Sequence, residues 1–271
     1  MQLCCKKELN IQSELTYILL ATALSGAFSI TMAAIFSFGL LSKMVERMVS
    51  LSVGIMLATS LLHALPEAFE SHANPHSLFF TLMCGLFGFF LLEKLSILRH
   101  SHHYEHDGHH HEAGHDKREA GKSGWLIMVG DGLHNFTDGI LIAAAFLADP
   151  AVGLMTSIAI IAHEIPQEVG DFIVLLNAGF SRKRAFIFNL MCSLLAVVGG
   201  IAGYFTLAKA QSWIPYVLVL ASSGFIYIAV SDLMPQMQRR TTVRETIPQL
   251  ILIALGVAII MALTHGLHPE S

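Results

Sequence analysis

Apolar stretches long enough to cross a lipid bilayer recur along nearly the whole of this chain. A membrane-spanning helix needs roughly 20 mostly apolar residues. Hydrophobic residues make up 54% of the 271 residues and charged residues only 13%, a composition that excludes an ordinary water-soluble domain. Eight segments qualify: residues 15–41, 47–70, 78–98, 125–148, 152–178, 184–208, 213–234 and 247–266. The sequence therefore predicts an all-α integral membrane protein with eight transmembrane helices, the lipid bilayer as its surroundings and no nucleic-acid partner.

The basic residues predict how these helices are oriented. Of the 16 Lys and Arg residues, 13 fall in one set of connections, and Lys6, Lys7 and Lys209 fall on the other side. Basic residues accumulate on the cytoplasmic side, so both termini are expected outside, in agreement with an even number of crossings. The opening before the first segment is too short for a removed signal peptide and has no small-residue cleavage site, so we expect this segment to remain as the first helix. We expect residues 1–271 to form a single transmembrane domain.

A histidine-rich polar connection, residues 100–122, separates the third apolar segment from the fourth. Its polar composition cannot build a core and predicts a disordered cytoplasmic loop. Imidazole is the commonest metal ligand in proteins, so the loop is expected to bind divalent metals weakly, and a solvated spacer is the alternative. The candidate ligands are His102, His103, His106, His109, His110 and His111.

Ionisable residues lie inside the fourth and fifth apolar segments, within residues 130–139 and 162–171. A charged group at the centre of a membrane helix costs on the order of 2.5–3.5 kcal/mol on insertion scales. Five acids in two adjacent helices therefore need a compensating partner, and a bound divalent cation is the simplest one. They are Asp131, Asp138, Glu164, Glu168 and Asp171.

The spacing of these polar residues places them on one face of each helix. At 100° per residue, Asp131, His134 and Asp138 share a face with Asn135 beside them. The polar face of the next helix carries His163, Glu164, Gln167, Glu168 and Asp171. A short Asp149-Pro150 turn predicts an antiparallel helix pair whose polar faces meet. Pro166 should also leave the carbonyl of Ala162 without its helical donor and available near the site.

Imidazole, carboxylate and amide groups suit Zn²⁺, Fe²⁺, Mn²⁺, Co²⁺ or Cd²⁺ better than Mg²⁺ or Ca²⁺. Cysteine is absent from both polar faces, which argues against a structural zinc site. The glycines Gly130, Gly132 and Gly139 permit either local breaks in the fourth helix or ordinary close packing. Cys84 and Cys192 are interpreted as packing residues.

At these residues the chain resembles the ZIP (Zrt/Irt-like protein) family of metal transporters. His134-Asn135-Phe136-Thr137-Asp138-Gly139 is similar to the family's fourth-helix motif HNxxD/E-G, and residues 163–168 are similar to its fifth-helix motif HExPxE. The resemblance implies eight helices, uptake of metal into the cytoplasm, and an elevator-like movement of helices one, four, five and six against the rest.

The resemblance also implies a binuclear-type centre between helices four and five. One metal site would use His134, Asp138, His163 and Gln167. Asn135 and Glu164, sharing Asp138, would supply the neighbouring site. Gln167 departs from the family pattern, which has His or Glu there, so strict zinc preference is in doubt. Asp131, Glu168 and Asp171 match less closely and are interpreted as supporting or exit-path groups.

A weaker internal similarity links the second and seventh segments. Residues 62–67 and 231–236 share a polar-x-x-Pro-Glu/Gln pattern, which predicts a 3+2+3 arrangement with inverted repeats on either side of a central pair. His63 and Glu67 are candidates for an entrance, with a capped helix end as the alternative. Asn189 either borders the polar seam or joins helices through hydrogen bonds.

The sequence thus predicts a carrier that is not an enzyme and moves Zn²⁺ into the cytoplasm, with Fe²⁺, Mn²⁺ and Cd²⁺ as further substrates. An intramembrane zinc metallohydrolase is one alternative because His163-Glu164 begins the helical metallohydrolase motif, although Gln167 replaces its second histidine. A metal sensor that uses the histidine-rich loop is the other. We expect a bacterial inner membrane rather than an organelle membrane, and a homodimer is left open.

Overall fold

The computed structural model describes residues 2–36, 42–101, 115–177, 179–238 and 242–267. The regular structure in these ranges is entirely helical. When segments joined through a π-helical turn are counted together, eight long helices result. They are α1 (Gln2–Phe36), α2 (residues 42–70), α3 (Pro75–Ser101), α4 (His115–Ala148), α5 (Pro150–Asn177), α6 (Arg182–Leu207), α7 (residues 214–238) and α8 (Val243–Leu267). Each overlaps one predicted apolar segment.

Five stretches of the described residues are long and apolar enough to cross a membrane. They are Ser13–Ala33, Arg47–Glu70, Arg182–Leu207, Gln211–Gln238 and Arg244–Gly266. Pro75–Leu91 is apolar but shorter, and α4 and α5 carry the polar motifs. The all-α membrane fold is therefore confirmed, whereas eight crossings with both termini outside stay a prediction.

The helices flanking the histidine-rich connection reach further into it than its composition predicts. α3 continues to Ser101, and α4 already begins at His115. Lys117, Arg118 and Ala120 are good helix formers, which explains why α4 starts before the apolar run. The six candidate loop histidines fall within residues 102–114 and lie outside the described residues.

The eight helices pack as two groups. We call α1, α4, α5 and α6 the α4–α5 group, in which α4 packs along α6 and α1 packs on α5 and α6. The other four helices, α2, α3, α7 and α8, form the α2–α8 group, in which α2 packs on α8 and α3 packs on α7. The groups meet mainly where α2 touches α5 and where α4 touches α7.

These helix contacts have the pattern of a two-fold exchange. Exchanging α1 with α6, α2 with α7, α3 with α8 and α4 with α5 turns the α4–α6 contact into α5–α1. The same exchange turns α2–α8 into α7–α3 and α2–α5 into α7–α4, and all six contacts are present. This pattern supports the predicted 3+2+3 inverted repeat.

Matched features also recur about 170 residues apart in the two ends of the chain. Both α2 and α7 contain a π-helical turn, Ser60–Ala64 and Ile228–Leu233, that ends two residues before a proline. Glycines at corresponding positions let neighbouring helices approach closely. The matched pairs are Gly54 with Gly224, Pro66 with Pro235, and Gly85 with Gly256.

Candidate metal centre

A one-residue connection holds the two motif helices as an antiparallel pair. Asp149 separates α4 from α5, and its Oδ1 accepts a hydrogen bond of 2.7 Å from the backbone N–H of Ala151. Pro150 occupies the first helical position, where a missing N–H costs nothing. The Asp149-Pro150 sequence thus caps α5 and brings the polar faces of the two helices together.

Glycine contacts fix α4 against α6 beside the motif. A Cβ on Gly139 would collide with the backbone of Ala196 and Gly200, and one on Gly199 would collide with the backbone of Phe136. α4 is continuous through Gly130 and Gly132, so neither marks a local break; Gly132 packs on the Leu195 side chain, whereas a Cβ on Gly130 would meet nothing within 4 Å. Asp138, next to Gly139, is thereby buried between helices.

Four predicted ligands converge in the seam between α4 and α5. One ligating atom from each of His134, Asp138, His163 and Glu164 lies within 4.8 Å of the others. The Nε2 atoms of His134 and His163 are 3.2 Å apart. Asp138 Oδ2 is 3.3 Å from His163 Nε2 and 3.6 Å from His134 Nε2. Glu164 Oε1 is 3.5 Å and 3.9 Å from the same two nitrogens of His134 and His163.

These separations suit a tetrahedral divalent cation. Zn²⁺ binds nitrogen and oxygen ligands at about 2.0–2.1 Å, so ligands of a tetrahedral site are about 3.3–3.4 Å apart. Nδ1 of His163 lies 3.0 Å from the carbonyl oxygen of Ala159, which can only accept a hydrogen bond. Nδ1 therefore carries the proton, and Nε2 presents its lone pair to the seam.

The carboxylates in the seam are buried without the hydrogen bonds that a buried charge needs. Asp138, Glu164 and Glu168 are 3%, 2% and 0% exposed. Asp138 Oδ2, both carboxylate oxygens of Glu164 and Glu168 Oε2 accept no hydrogen bond. An uncompensated buried charge costs several kcal/mol, and a bound cation would supply the missing compensation. Among the described residues, the ion pairs of Asp138 and Glu164 are with histidines alone.

A second group of ligating atoms adjoins the first. One oxygen from each of Asp131, Glu164 and Glu168 lies within 4.8 Å of the other two. Glu164 belongs to both groups. Asp131 lies one helical turn before His134 and Asn135, and Glu168 lies one turn beyond Glu164, so the two groups follow one another along the seam.

Both amides of the motif donate hydrogen bonds to Asp131. Asn135 Nδ2 donates to Asp131 Oδ1 at 3.0 Å and to the Asp131 carbonyl at 3.3 Å. Gln167 Nε2 donates to the same Oδ1 at 3.3 Å. Both amides thus present nitrogen to Asp131, because a carboxylate can only accept. They orient Asp131 in this structure, and metal binding by the two amides, which the resemblance implies, stays a prediction.

Helix α6 holds Glu168 in place. Ser193 Oγ donates to Glu168 Oε1 at 2.9 Å, and Asn189 Nδ2 donates to the Glu168 carbonyl at 3.3 Å. Asn189 therefore both borders the seam and joins α6 to α5. Asp171 is partly buried one turn further along α5 and belongs to neither ligating group.

The carbonyl freed by Pro166 has a hydrogen-bond partner on a neighbouring helix, whereas the sequence predicted that it would be free. Ser52 of α2 donates its hydroxyl to the carbonyl of Ala162, while also contacting the carbonyl of Met48 at 2.8 Å. A buried carbonyl at membrane depth must be satisfied, and a neighbouring helix supplies the donor. Sequence reasoning missed Ser52; the only signal was the unsatisfied carbonyl itself.

The predicted entrance residues lie apart from both ligating groups. His63 lies in the π-helical turn of α2, where its Nε2 contacts the hydroxyl of Thr264 in α8. Glu67 borders a pocket with Ser71, Gln211 and Ile214. The structure does not bring either residue to the α4–α5 seam.

Fold and seam together define a helical membrane protein with a buried cluster of nitrogen and oxygen atoms that could hold a metal ion. The family model described as "ZIP Zinc transporter" matches residues 13–123 and 95–264. The chain belongs to the ZIP zinc transporter family. Family membership favours a transporter over the metallohydrolase alternative.

Similar proteins carry zinc-transporter names. Zinc transporter ZIP10 of Homo sapiens is 37% identical over 153 residues, covering 54% of this chain and 18% of that protein. Zinc transporter foi of Drosophila melanogaster is 39% identical over 145 residues, covering 52% and 20%. Zinc transporter ZIP13 of Pongo abelii is 29% identical over 235 residues, covering 80% and 66%. The chain thus spans about a fifth of the length of the first two relatives.

Proposed function

We propose that this protein carries Zn²⁺ across a membrane into the cytoplasm through the seam between α4 and α5. The observation that carries the proposal is the cluster of His134, Asp138, His163 and Glu164, with its ligating atoms within 4.8 Å of one another. Their buried, unpartnered carboxylate oxygens would draw in a divalent cation and offset part of its dehydration.

The ligand types bear on which cations are carried. Two imidazoles favour borderline cations over Mg²⁺, so Zn²⁺ is the main proposed substrate and Fe²⁺, Mn²⁺ and Cd²⁺ are further ones. Release would be helped by protons, because carboxylates and imidazoles must be deprotonated to bind a metal. The names of the relatives, all zinc transporters, support zinc as the cargo.

An elevator-type movement of α1, α4, α5 and α6 is part of the proposal. Its support is the grouping of helix contacts, in which these four pack together and meet the α2–α8 group mainly through α2–α5 and α4–α7. The ion would then travel with its ligands. Inward direction, both termini outside and a homodimer stay predictions.

The identity of the membrane is also a prediction. The chain is an integral membrane protein, but a bacterial inner membrane gains no support from the similar proteins named above, which come from animals. Those relatives favour a eukaryotic membrane instead.

Uptake of radioactive zinc into vesicles containing the purified chain tests the proposal. Saturable uptake is expected for the native chain, and the His134→Ala/His163→Ala variant should fall to the rate of protein-free vesicles because it loses both imidazoles. Unlabelled Mn²⁺, Fe²⁺ and Cd²⁺ added as competitors give the order of preference.

A matched control replaces two exposed histidines, His72 in the connection between α2 and α3 and His76 in the first turn of α3. His72→Ala/His76→Ala should transport zinc as the native chain does, since both residues are exposed and belong to neither ligating group. Equal zinc uptake by the native chain and the His134→Ala/His163→Ala variant would overturn the proposal. Deletion of residues 100–116 distinguishes the sensor alternative, because it should only change the uptake rate of a transporter.

A further inference from the structure

We infer that the seam between α4 and α5 opens at Gly130 and Gly170, and that these two glycines keep the opening free of side chains so that the ion can pass. We call this opening the mouth. The inference rests on the proposed function, because it concerns how the carried ion reaches the buried cluster. Neither glycine belongs to the two motifs, residues 134–139 and 163–168.

The exposure of the four clustered ligands indicates the side from which an ion reaches them. The side chains of Asp138, His163 and Glu164 are 4%, 1% and 3% exposed, whereas that of His134 is 24% exposed. Gly130 lies one turn before His134 on the same face of α4 and is exposed as well. The open side of the cluster is therefore the face of α4 that carries Gly130.

Helix α6 closes the opposite side of the seam. A Cβ on Gly132 would collide with a leucine side chain of α6 at 2.8 Å, and Glu168 accepts a hydrogen bond from Ser193 of α6. Gly130 lies two residues before Gly132, and Gly170 lies two residues after Glu168. Two residues correspond to about 200° around a helix. Both exposed glycines thus lie on the sides of α4 and α5 that face away from α6.

Both glycines have open space where a side chain would be. A Cβ on either one would meet nothing within 4 Å. Glycine stabilises a helix less than alanine does, and no close packing offsets that loss at Gly130 or Gly170. Gly88 of α3 is equally open and exposed, so open surroundings alone do not carry the inference. The position beside the clustered ligands distinguishes Gly130 and Gly170 from Gly88.

The mouth leads to buried carboxylate oxygens that have no partner. One oxygen of Asp131, the residue after Gly130, lies within 4.8 Å of an oxygen of Glu164. Both carboxylate oxygens of Glu164 accept no hydrogen bond, although that residue is only 2% exposed. An ion that leaves such ligands must exchange them for water, and an opening without side chains leaves room for that water.

Uptake of radioactive zinc by the Gly130→Leu/Gly170→Leu chain in vesicles tests the inference. Leucine is a good helix former, so the melting temperature in detergent should not fall. Two leucines would fill the mouth, so the variant should lose most of its uptake. Its equilibrium zinc binding in detergent should stay close to that of the native chain, because a blocked route changes the rate of exchange and not the equilibrium.

Two results with this variant would overturn the inference. One is zinc uptake as fast as that of the native chain. The other is a loss of zinc binding as large as the loss of uptake, because the leucines would then act on the ligands and not on the route. The histidine-rich connection is present in both chains, so its zinc binding cancels in the comparison.

Gly88→Leu is the matched control, since Gly88 is as open as the two mouth glycines but lies in α3 of the other helix group. It should transport zinc as the native chain does. If Gly88→Leu lost as much uptake as the mouth variant, the position at the seam would not explain the effect and the inference would fail.

Cysteine labelling decides the question if the leucine variant does not fold. Gly130→Cys and Gly170→Cys should each react with a charged, water-soluble methanethiosulfonate supplied on both sides of the vesicle membrane, because a thiol in the mouth meets water. Gly88→Cys should not react, since the neighbouring Phe87 and Phe90 are 64% and 53% exposed and are expected to face lipid. Peptide mass spectrometry distinguishes the new cysteines from the native ones. Absence of reaction at residues 130 and 170 would overturn the inference.

Zinc uptake by the native chain separates this inference from the proposed function. Absent uptake would overturn the transport proposal, and the cysteine reaction would then decide by itself whether the mouth is open to water. Native uptake that persists in the leucine variant would overturn the mouth alone.

Discussion

The two helix groups of this protein pack in the same way but bury different chemistry. Gly139 and Gly199 bring α4 against α6 in one group, and Gly54 and Gly256 bring α2 against α8 in the other. Only the α4–α5 group, among the described residues, buries carboxylate oxygens that accept no hydrogen bond. In the α2–α8 group the buried unpartnered atoms belong to hydroxyls such as Ser60 and Ser222.

This difference distinguishes the contacts that stabilise the fold from the buried groups that are proposed to bind the cation. Helix packing through glycine needs no buried charge, as the α2–α8 group demonstrates. Buried charges without partners destabilise a fold by several kcal/mol, so their concentration in the α4–α5 group supports the proposal that this group binds a cation. The α2–α8 group contributes to the centre through Ser52, which satisfies the carbonyl of Ala162.

The largest expected effect comes from adding a methyl group at each glycine contact. Gly139→Ala and Gly256→Ala both force a Cβ against backbone atoms, at 2.7 Å from Gly200 N and 2.6 Å from Leu51 O respectively. Each should destabilise the protein by about 1–3 kcal/mol, measured as a lower melting temperature in detergent. Only Gly139→Ala should also weaken zinc binding, since it displaces Asp138.

Gly88→Ala is the matched control, because a Cβ there meets nothing within 4 Å. Its melting temperature should be unchanged or slightly higher, since alanine favours a helix over glycine by roughly 0.5–1 kcal/mol. Equal loss of zinc binding in the Gly139→Ala and Gly256→Ala variants would contradict the division between the two groups.

A smaller effect is expected where the two groups meet. Ser52→Ala leaves the Ala162 carbonyl without a donor and should cost about 1–2 kcal/mol, again measured by melting temperature. In a Pro166→Ala background, residue 166 regains its N–H and can donate to that carbonyl, so the cost of Ser52→Ala should shrink.

Thr31→Ala provides the comparison, since its exposed hydroxyl donates only within α1, to the carbonyl of Ala27. Thr31→Ala should change the melting temperature by the same amount in the native and the Pro166→Ala backgrounds. A Ser52→Ala cost that is the same with and without Pro166 would show that the serine acts in some other way.

The smallest expected effect concerns selectivity. Gln167→His introduces an imidazole at the seam, and nitrogen ligands favour Zn²⁺ over Mn²⁺. The preference for zinc in competition uptake should rise by a few-fold, on the order of 1 kcal/mol or less. Gln236→His, at an exposed position of α7, should leave the preference for zinc unchanged. If it raised that preference as much as Gln167→His does, the position of residue 167 at the seam would not explain the effect.

Sequence reasoning predicted the features that depend on local spacing. Helix positions follow from the length of apolar runs, and the shared face of His134 and Asp138 follows from the 3.6-residue period of a helix. The Asp149-Pro150 turn, with its short length and its capping side chain, predicts the antiparallel pairing of α4 and α5. These inferences needed no knowledge of distant residues.

Contacts between helices that are far apart in sequence were not predictable in the same way. Nothing in the spacing of Ser52 or Ser193 indicates that one would meet Ala162 and the other Glu168. Likewise, the hydrogen bonds from Asn135 and Gln167 to Asp131 were not predicted. Their orientation depends on which groups the neighbouring helices present.

The sequence by itself determined the membrane-spanning helical class, the family and the two motif faces, because composition and periodicity act along a single helix. The tertiary structure alone decided that the His134 and His163 nitrogens lie 3.2 Å apart and that Glu164 is shared between two ligating groups. Those distances depend on how deeply and in which register α4, α5 and α6 pack, and the glycine contacts that set this packing are long-range.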